Sequence, residues 1–247
     1  MIDASILHRV VDYAALNQND VVLDIGAGLG FLTRFLAAKC RCVLAVESDN
    51  RLVGILREQL DDLSNVELVE GDILKVPVKQ FNKVVSIPPY YISSRLLLWL
   101  FSRDFELAVL ILQEEFADRL VTSIGRERYG WLSVVSYYYS QSDLQDKVPR
   151  WMFYPQPEVD SVITLLRPKK PPPFTLRDER LFKELTQNLF TQRNRKVRNA
   201  IQAFIRVRNM ISKEDVVSFA DSLPFSEKRV RELAPEDFGA LANALAN

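Results

Sequence analysis

Residues Asp20–Lys39 read DVVLDIGAGLGFLTRFLAAK. The apolar run VVLDI is rich in β-branched residues and ends on three glycines at alternate positions, Gly26, Gly28 and Gly30. Apolar residues at helical spacing follow from Phe31. A short strand, a glycine turn and a helix form the opening unit of a parallel α/β sheet. Glycine lets the chain turn tightly there and lets a ligand approach the backbone closely. A dinucleotide fingerprint, G-x-G-x-x-G, would need a glycine where Phe31 stands. Asp24 lies just before the turn. An acid there suits a ligand with a positive amino-acid end better than a pyrophosphate.

Outward from this unit the alternation continues. RCVLAVE, NVELVEGD, FNKVVSI and FELAVLIL read as strands; DNRLVGILREQL, SSRLLLWLF and QEEFADRLVTSI read as helices. The pattern predicts an α/β fold, Rossmann-like, with a mostly parallel doubly wound sheet. GWLSVVSYYYS reads as helix, and LQDKVPRWMFYPQPEVDSVITLLRP as two extended segments around a proline-rich loop, an antiparallel hairpin that finishes the sheet. RPKKPPP, from Arg167 to Pro173, marks a boundary, since consecutive prolines exclude helix. Beyond it LRDERLFKELTQNLFTQRN, KVRNAIQAFIRVR, SKEDVVSFADSL and PEDFGALANALAN all read as helical. The expected organisation is an α/β domain over 1–168, a proline-rich linker over 169–173 and a small helical domain over 174–247.

Bulk properties exclude more than they assign. Lys+Arg and Asp+Glu are equal at 32 each, so any nucleic-acid binding must come from local clustering. No run reaches the roughly 20 apolar residues of a membrane span, and no signal peptide is visible. Cys40 and Cys42 stand as C-R-C, a geometry that disfavours a disulfide between them and suits reduced thiols in the cytoplasm. A metal site would need further ligands, and the sole histidine, His8, falls on one face of an amphipathic helix, so no metal is expected.

Two further acids end strands. Glu47 closes the second strand some 20 residues after the glycines, where a carboxylate can take both hydroxyls of a ribose. Asp72, in VEGDIL, closes the third, where it can accept from an adenine amine. With Asp24 facing an ammonium group, the three describe S-adenosylmethionine. The expected cofactor set, with neighbours in the same strings, is Asp24, Gly26, Gly28, Gly30, Glu47, Ser48, Asp72, Ile73, Ser86 and Ile87.

IPPYY closes the fourth strand at the same cleft, which makes Ile87, Pro88, Pro89 and Tyr90 the candidate catalytic stretch. An exocyclic amine is a poor nucleophile because its lone pair is delocalised into the ring. Acceptors for its hydrogens, held by rigid prolines, turn that lone pair toward a methyl donor. Tyr90 offers a face on which a flipped-out base can stack. Enzymes of this kind place Asn or Asp before Pro-Pro-Tyr, and here the position holds Ile87.

These strings resemble the ribosomal RNA adenine dimethyltransferase family of the KsgA kind, nearly from end to end. LQEEFADRLV, YGWLSV, FYPQPEVDSVI, LFTQRNRKVRNAI and RELAPEDFGALANAL resemble the family's later landmarks in order. The resemblance implies dimethylation of two adjacent adenosines near the 3′ end of small-subunit rRNA, coupled to assembly of the immature subunit. It further implies Gly26, Glu47 and Asp72 as cofactor contacts, Tyr90 as the stacking aromatic and Phe153 as a second aromatic against the flipped base. Ile87 departs from the family's catalytic Asn. The family's Q-x-F-L-x-D segment, which touches cofactor, is almost wholly absent ahead of MIDASIL. Arg193, Arg195, Lys196, Arg198, Arg206 and Arg208 form a tract without an acid from Thr191 to Arg208, which reads as phosphate contact. A catalytically weak or inactive assembly factor on the same scaffold, and an adenine methyltransferase of another nucleic acid, are the rival readings. A monomer is the default expectation.

Overall fold

The computed structural model describes residues 3–208, 212 and 215–246. The chain divides into two compact units, one of Met1–Ala117 with Ser140–Pro168, the other of Asp118–Tyr139 with Lys169–Asn247.

In the first unit α1 (Ala4–Ala14) precedes β1 (Val21–Ile25), α2 (Phe31–Ala37), β2 (Cys42–Glu47), α3 (Asn50–Leu60), β3 (Val66–Glu70), β4 (Lys83–Ser86), α4 (Ser93–Leu100) and β5 (Leu107–Gln113). α5 (Glu114–Val121) crosses into the second unit, which also takes α6 (Trp131–Tyr139), and β6 (Ser140–Val148) and β7 (Ser161–Pro168) return to the first. The seven strands lie in the order β3-β2-β1-β4-β5-β7-β6. β1 to β5 pair in parallel, whereas β7 runs antiparallel to both β5 and β6. The expected terminal hairpin is therefore present, with β6 starting at Ser140, before the Leu144 that the sequence suggests.

α1 buries Ile6, Leu7, Val10, Val11 and Ala14 against Val85, Val109 and Ile111 of the sheet. Asp3 caps its start, accepting from the Ser5 N–H at 2.8 Å. Its last turn ends on Lys83, whose Nζ donates to the carbonyls of Ala14 at 3.1 Å and Ala15 at 2.9 Å. The same ammonium lies 3.0 Å from the Asp20 carboxylate. A buried cation at a helix C-terminus satisfies carbonyls that the helix leaves open. Burial alone would raise the Asp20 pKa. Hydrogen bonds from Asn82, Asn17 and Lys83 outweigh it and hold the carboxyl below its usual range. His8 is exposed on α1, edge-on to Phe35 at 4.8 Å. Both cysteines are free, and Cys40 donates to the Cys42 carbonyl at 3.4 Å.

The second unit holds α6 with α7 (Glu179–Phe190), α8 (Val197–Val207), α9 (Val216–Ser222) and α10 (Pro235–Leu245). The four C-terminal helices match the sequence pattern; Lys213 and Glu214 of the third, and Asn247 of the fourth, lie outside the described residues. The boundary after Pro168 also matches, but residues 118–139, expected in the first domain, cluster with the C-terminal helices. Aromatic packing explains it. Tyr138 of α6 meets Phe182 of α7 at 5.4 Å and Phe174 at 4.8 Å, and Tyr129 meets Phe190 at 5.7 Å. Nor is 169–173 a free linker. The Lys169 N–H donates to the Tyr139 carbonyl, and its ammonium to that of Tyr137.

Removing one partner of a buried ion pair strands the other charge. Asp20→Leu should lower unfolding free energy in urea by about 3–5 kcal/mol. Adding Lys83→Met to it should recover most of that loss.

Candidate active site and nucleic-acid interface

The carboxyl ends of β1, β2, β3 and β4 share one sheet edge, and the expected residues gather there. The loop after β1 crosses toward β2, with the Gly26 and Ala27 N–H groups both donating to the Val46 carbonyl, at 2.8 and 3.1 Å. Gly26, Gly28 and Gly30 have φ of 73°, 60° and 79°. At Gly26 a Cβ would sit 2.9 Å from Pro89 Cδ, so only glycine lets this loop approach the Pro-Pro turn after β4.

Glu47 is 6% exposed. Its carboxylate accepts the N–H of Gly28 at 2.9 Å, of Ser48 at 2.7 Å and of Asp49 at 2.8 Å. A carboxylate has about four acceptor positions, so three are occupied by backbone. One remains for a ligand hydroxyl, where the sequence suggested two.

Asp24 is not among the residues that line the neighbouring cavity. It is buried, 1% exposed, and accepts from Thr33 Oγ at 2.7 Å. Burial pushes its pKa up to about 7; the Thr33 hydrogen bond opposes this, and the Glu47 charge adds to it. Asp24 thus ties the end of β1 to Thr33 of α2.

A cavity of about 160 Å³ opens beside the loop. Of the expected cofactor residues, Gly26, Ser48, Asp72 and Ile73 line it. Asp24, Gly28, Gly30, Glu47, Ser86 and Ile87 do not. Pro89 lines it as well, together with Tyr91, Ile92 and Arg95, which the sequence reading missed although they directly follow IPPY. Asp72 accepts from the Leu74 N–H at 3.0 Å, and its second oxygen lies 3.6 Å from the Lys75 ammonium. Apolar walls (Ile25, Val46, Ile73) with one carboxylate at the edge suit a flat heterocycle carrying an amino group.

On the far side of the Pro-Pro turn, Ser86 is fully buried and spent on its neighbour strand. Its hydroxyl donates to the Ile25 carbonyl at 2.6 Å and accepts the Ile25 N–H at 3.1 Å. It is thereby tied to β1 and away from solvent. Ile87 packs its side chain against the apolar cluster under α1, as do Met152 and Phe153. The Pro89 carbonyl accepts the Ile92 N–H at 3.1 Å. That leaves the Pro88 carbonyl as the backbone acceptor next to position 87. Tyr90 is half-buried, with its hydroxyl 2.6 Å from Ser161 Oγ at the start of β7. Burial raises its pKa, against the Ser161 hydrogen bond. Phe153 follows the short helix Arg150–Met152, in the loop that joins β6 to β7.

The basic tract of the second unit is less free than its sequence suggests. Glu227 lies 2.6 Å from both Lys196 and Arg198, and Glu184 pairs with Arg208. Arg206 leans on Gln202, while Arg195 is exposed. Arg193 instead lines a groove of about 790 Å³ with Arg126 and Arg231, gathered from three distant stretches, and Glu127 and Glu232 share its wall. Its guanidinium donates to the Glu127 carbonyl at 2.9 Å, and Arg231 to Asn194 Oδ1 at 3.2 Å. No sequence window contains all three arginines. Among the described residues no group of three or more His, Cys, Asp or Glu could hold a metal, and no helix is long and apolar enough to cross a membrane.

Comparison with known proteins gives a consistent picture. The ribosomal RNA adenine dimethylase family matches residues 1–224. A probable ribosomal RNA small subunit methyltransferase A of Methanosarcina acetivorans is 41% identical over 247 residues, covering 99% of this chain and 90% of that one. Its counterpart in Thermococcus onnurineus is 40% identical, covering 94% and 84%. Among solved structures, a dimethyladenosine transferase from Plasmodium falciparum superposes with a TM-score of 0.82 at 26% identity, covering 98% and 95%. The 23S rRNA methyltransferase ErmE gives 0.67 at 27%, covering 99% and 98%.

Two measurements check this geometry. Folded Asp24 keeps its proton up to about pH 7, whereas the unfolded chain releases it near 3.8. The folded state thus binds more protons in that window, and stability must fall as pH rises through it. Asp24→Asn should flatten that decline in denaturation curves taken from pH 4 to 8. Gly26→Ala should weaken S-adenosylmethionine binding in calorimetry by at least about tenfold, since about 1.4 kcal/mol of loop displacement suffices.

Proposed function

The chain belongs to the ribosomal RNA adenine dimethylase family, and from that premise we propose that it dimethylates two adjacent adenosines near the 3′ end of small-subunit rRNA, using S-adenosylmethionine. The observation that carries the reading is the shared edge: a glycine loop held against a Pro-Pro-Tyr turn, with the Asp72 cavity alongside.

Asp72 and Ile73 would hold the adenine of the cofactor, Gly26 and Ser48 its middle, and Glu47 one ribose hydroxyl through its remaining acceptor position. When bound, the cofactor supplies an electrophilic methyl on a sulfonium. The chain supplies the rest. Tyr90, pinned through its hydroxyl to Ser161, presents a ring that does not swing, and Phe153 offers a second apolar surface for the flipped adenine. The Pro88 carbonyl accepts one amine hydrogen, which turns the lone pair toward the donor. Positioning of this kind contributes on the order of 7–11 kcal/mol to barrier lowering. Ile87 provides no second acceptor, and one such hydrogen bond is worth about 3–4 kcal/mol. We therefore assign a slow enzyme. Exposed Arg195 and the groove of Arg126, Arg193 and Arg231 support contact with RNA phosphates in the immature subunit. Two free thiols suit a reducing cytoplasm, and the working state is taken as a monomer.

Ile87 favours a second reading, an assembly factor that occupies the subunit without modifying it. Labelled cofactor incubated with unmethylated small subunits separates the two. Slow transfer to adenosine is expected, and Ile87→Asn should raise the rate by roughly a hundredfold. Full binding with no transfer from either form would establish the assembly factor instead.

A further inference from the structure

Three aromatic side chains stand out in water far beyond any others. Tyr91 is 78% exposed, Tyr154 75% and Trp151 69%, while no other aromatic among the described residues exceeds 42%. A single exposed ring is ordinary, but these come from two separate loops that topology brings to one edge. β7 starts where Ser161 pairs with Gln113, the last residue of β5, and β6 ends where Val148 pairs with that same Ser161. The connecting loop, 149–160, therefore leaves the sheet at the carboxyl end of β5. β4 ends beside it, with Ser86 opposite Leu110, and leads straight into Tyr90 and Tyr91.

The turn that carries Trp151 is fixed. The Arg150 N–H donates to Asp160 at 2.9 Å, and its guanidinium to the Glu158 carbonyl at 3.1 Å. The Met152 carbonyl accepts the Asp3 N–H at 3.0 Å, and the Met152 side chain packs into the apolar cluster. With its neighbour anchored inward, the indole is held outward in an ordered position. Tyr91 shares its cavity wall with the exposed guanidinium of Arg95.

We propose that Trp151 and Tyr91 form a stacking surface for unpaired RNA bases that neighbour the target adenosine. This rests on the adenine-methylating reading above and extends it to bases that do not react. Flat rings suit the faces of bases in any sequence, and a cation beside them suits a phosphate. A strand held on both sides of the reacting nucleotide would pay less to have that nucleotide flipped out.

The test uses the full-length protein and a short adenosine-rich oligoribonucleotide, either single-stranded or annealed to its complement. Binding is followed by fluorescence anisotropy, and indole emission is recorded in parallel. The unpaired strand should quench Trp151 and bind more tightly than the duplex. Trp151→Ala and Tyr91→Ala should each weaken binding of the unpaired strand by at least about fivefold. Trp151→Phe should keep the affinity and lose the quench. Affinity for S-adenosylmethionine should be unchanged in Trp151→Ala, which reports that its fold is intact. Unaltered strand binding by Trp151→Ala would overturn the proposal. So would equal binding of strand and duplex, or an indole that responds only to protein association. Methyl transfer to unmethylated small subunits, measured alongside, separates the two readings: stacking without transfer counts against the catalytic one, and transfer without stacking against this one.

Discussion

Glu47 spends its charge on the protein before any ligand arrives. A carboxylate so deeply buried is tolerated only where hydrogen bonds replace water, and three backbone N–H groups do so here. Those donors come from two loops, one after β1 and one after β2. The acid therefore fixes the distance between the glycine turn and the next strand's exit. Asp24 beneath it stays protonated over much of the acid range, partly because Glu47 already carries the negative charge. Two acids at neighbouring strand ends are divided by environment: Glu47 ties two loops through backbone amides, while burial raises the pKa of Asp24 to about 7.

The architecture was legible because its cause is local. Alternating strand and helix patterns, with glycines at the first turn, leave few ways to arrange a parallel sheet, and β1–β5 follow that reading. The proline-rich hairpin was equally plain. What was not legible depends on where side chains point after the chain has closed. Asp24, Glu47 and Ser86 all sit at the right edge, yet Thr33, backbone amides and Ile25 take up most of their hydrogen-bonding capacity. Spacing places a residue at a strand end; it does not say which hydrogen bonds reach it first. The same limit applies to the basic tract. A run without acids in sequence met Glu227 and Glu184 in space. The Arg126, Arg193 and Arg231 groove, by contrast, had no signal in any single stretch.

Position 87 contributes packing rather than a polar group. An isoleucine there joins the apolar cluster with Met152 and Phe153, so the turn gains packing where it lacks an acceptor. The flanking prolines, the Tyr90–Ser161 tie and the Gly26 approach do not depend on what that side chain offers chemically. The pocket is thus preserved by contacts independent of the missing group.

The first unit leaves off at Ala117 and resumes at Ser140, with a piece of the second unit threaded between. During synthesis, then, the first unit is completed only after the opening piece of the second has emerged. The last two strands of the sheet emerge only after α6, and α6 must wait for Phe182 before its aromatic face has a companion. Cutting the gene after residue 168 would yield a chain that carries a sticky, orphaned helix. No single cut of the chain separates the two units.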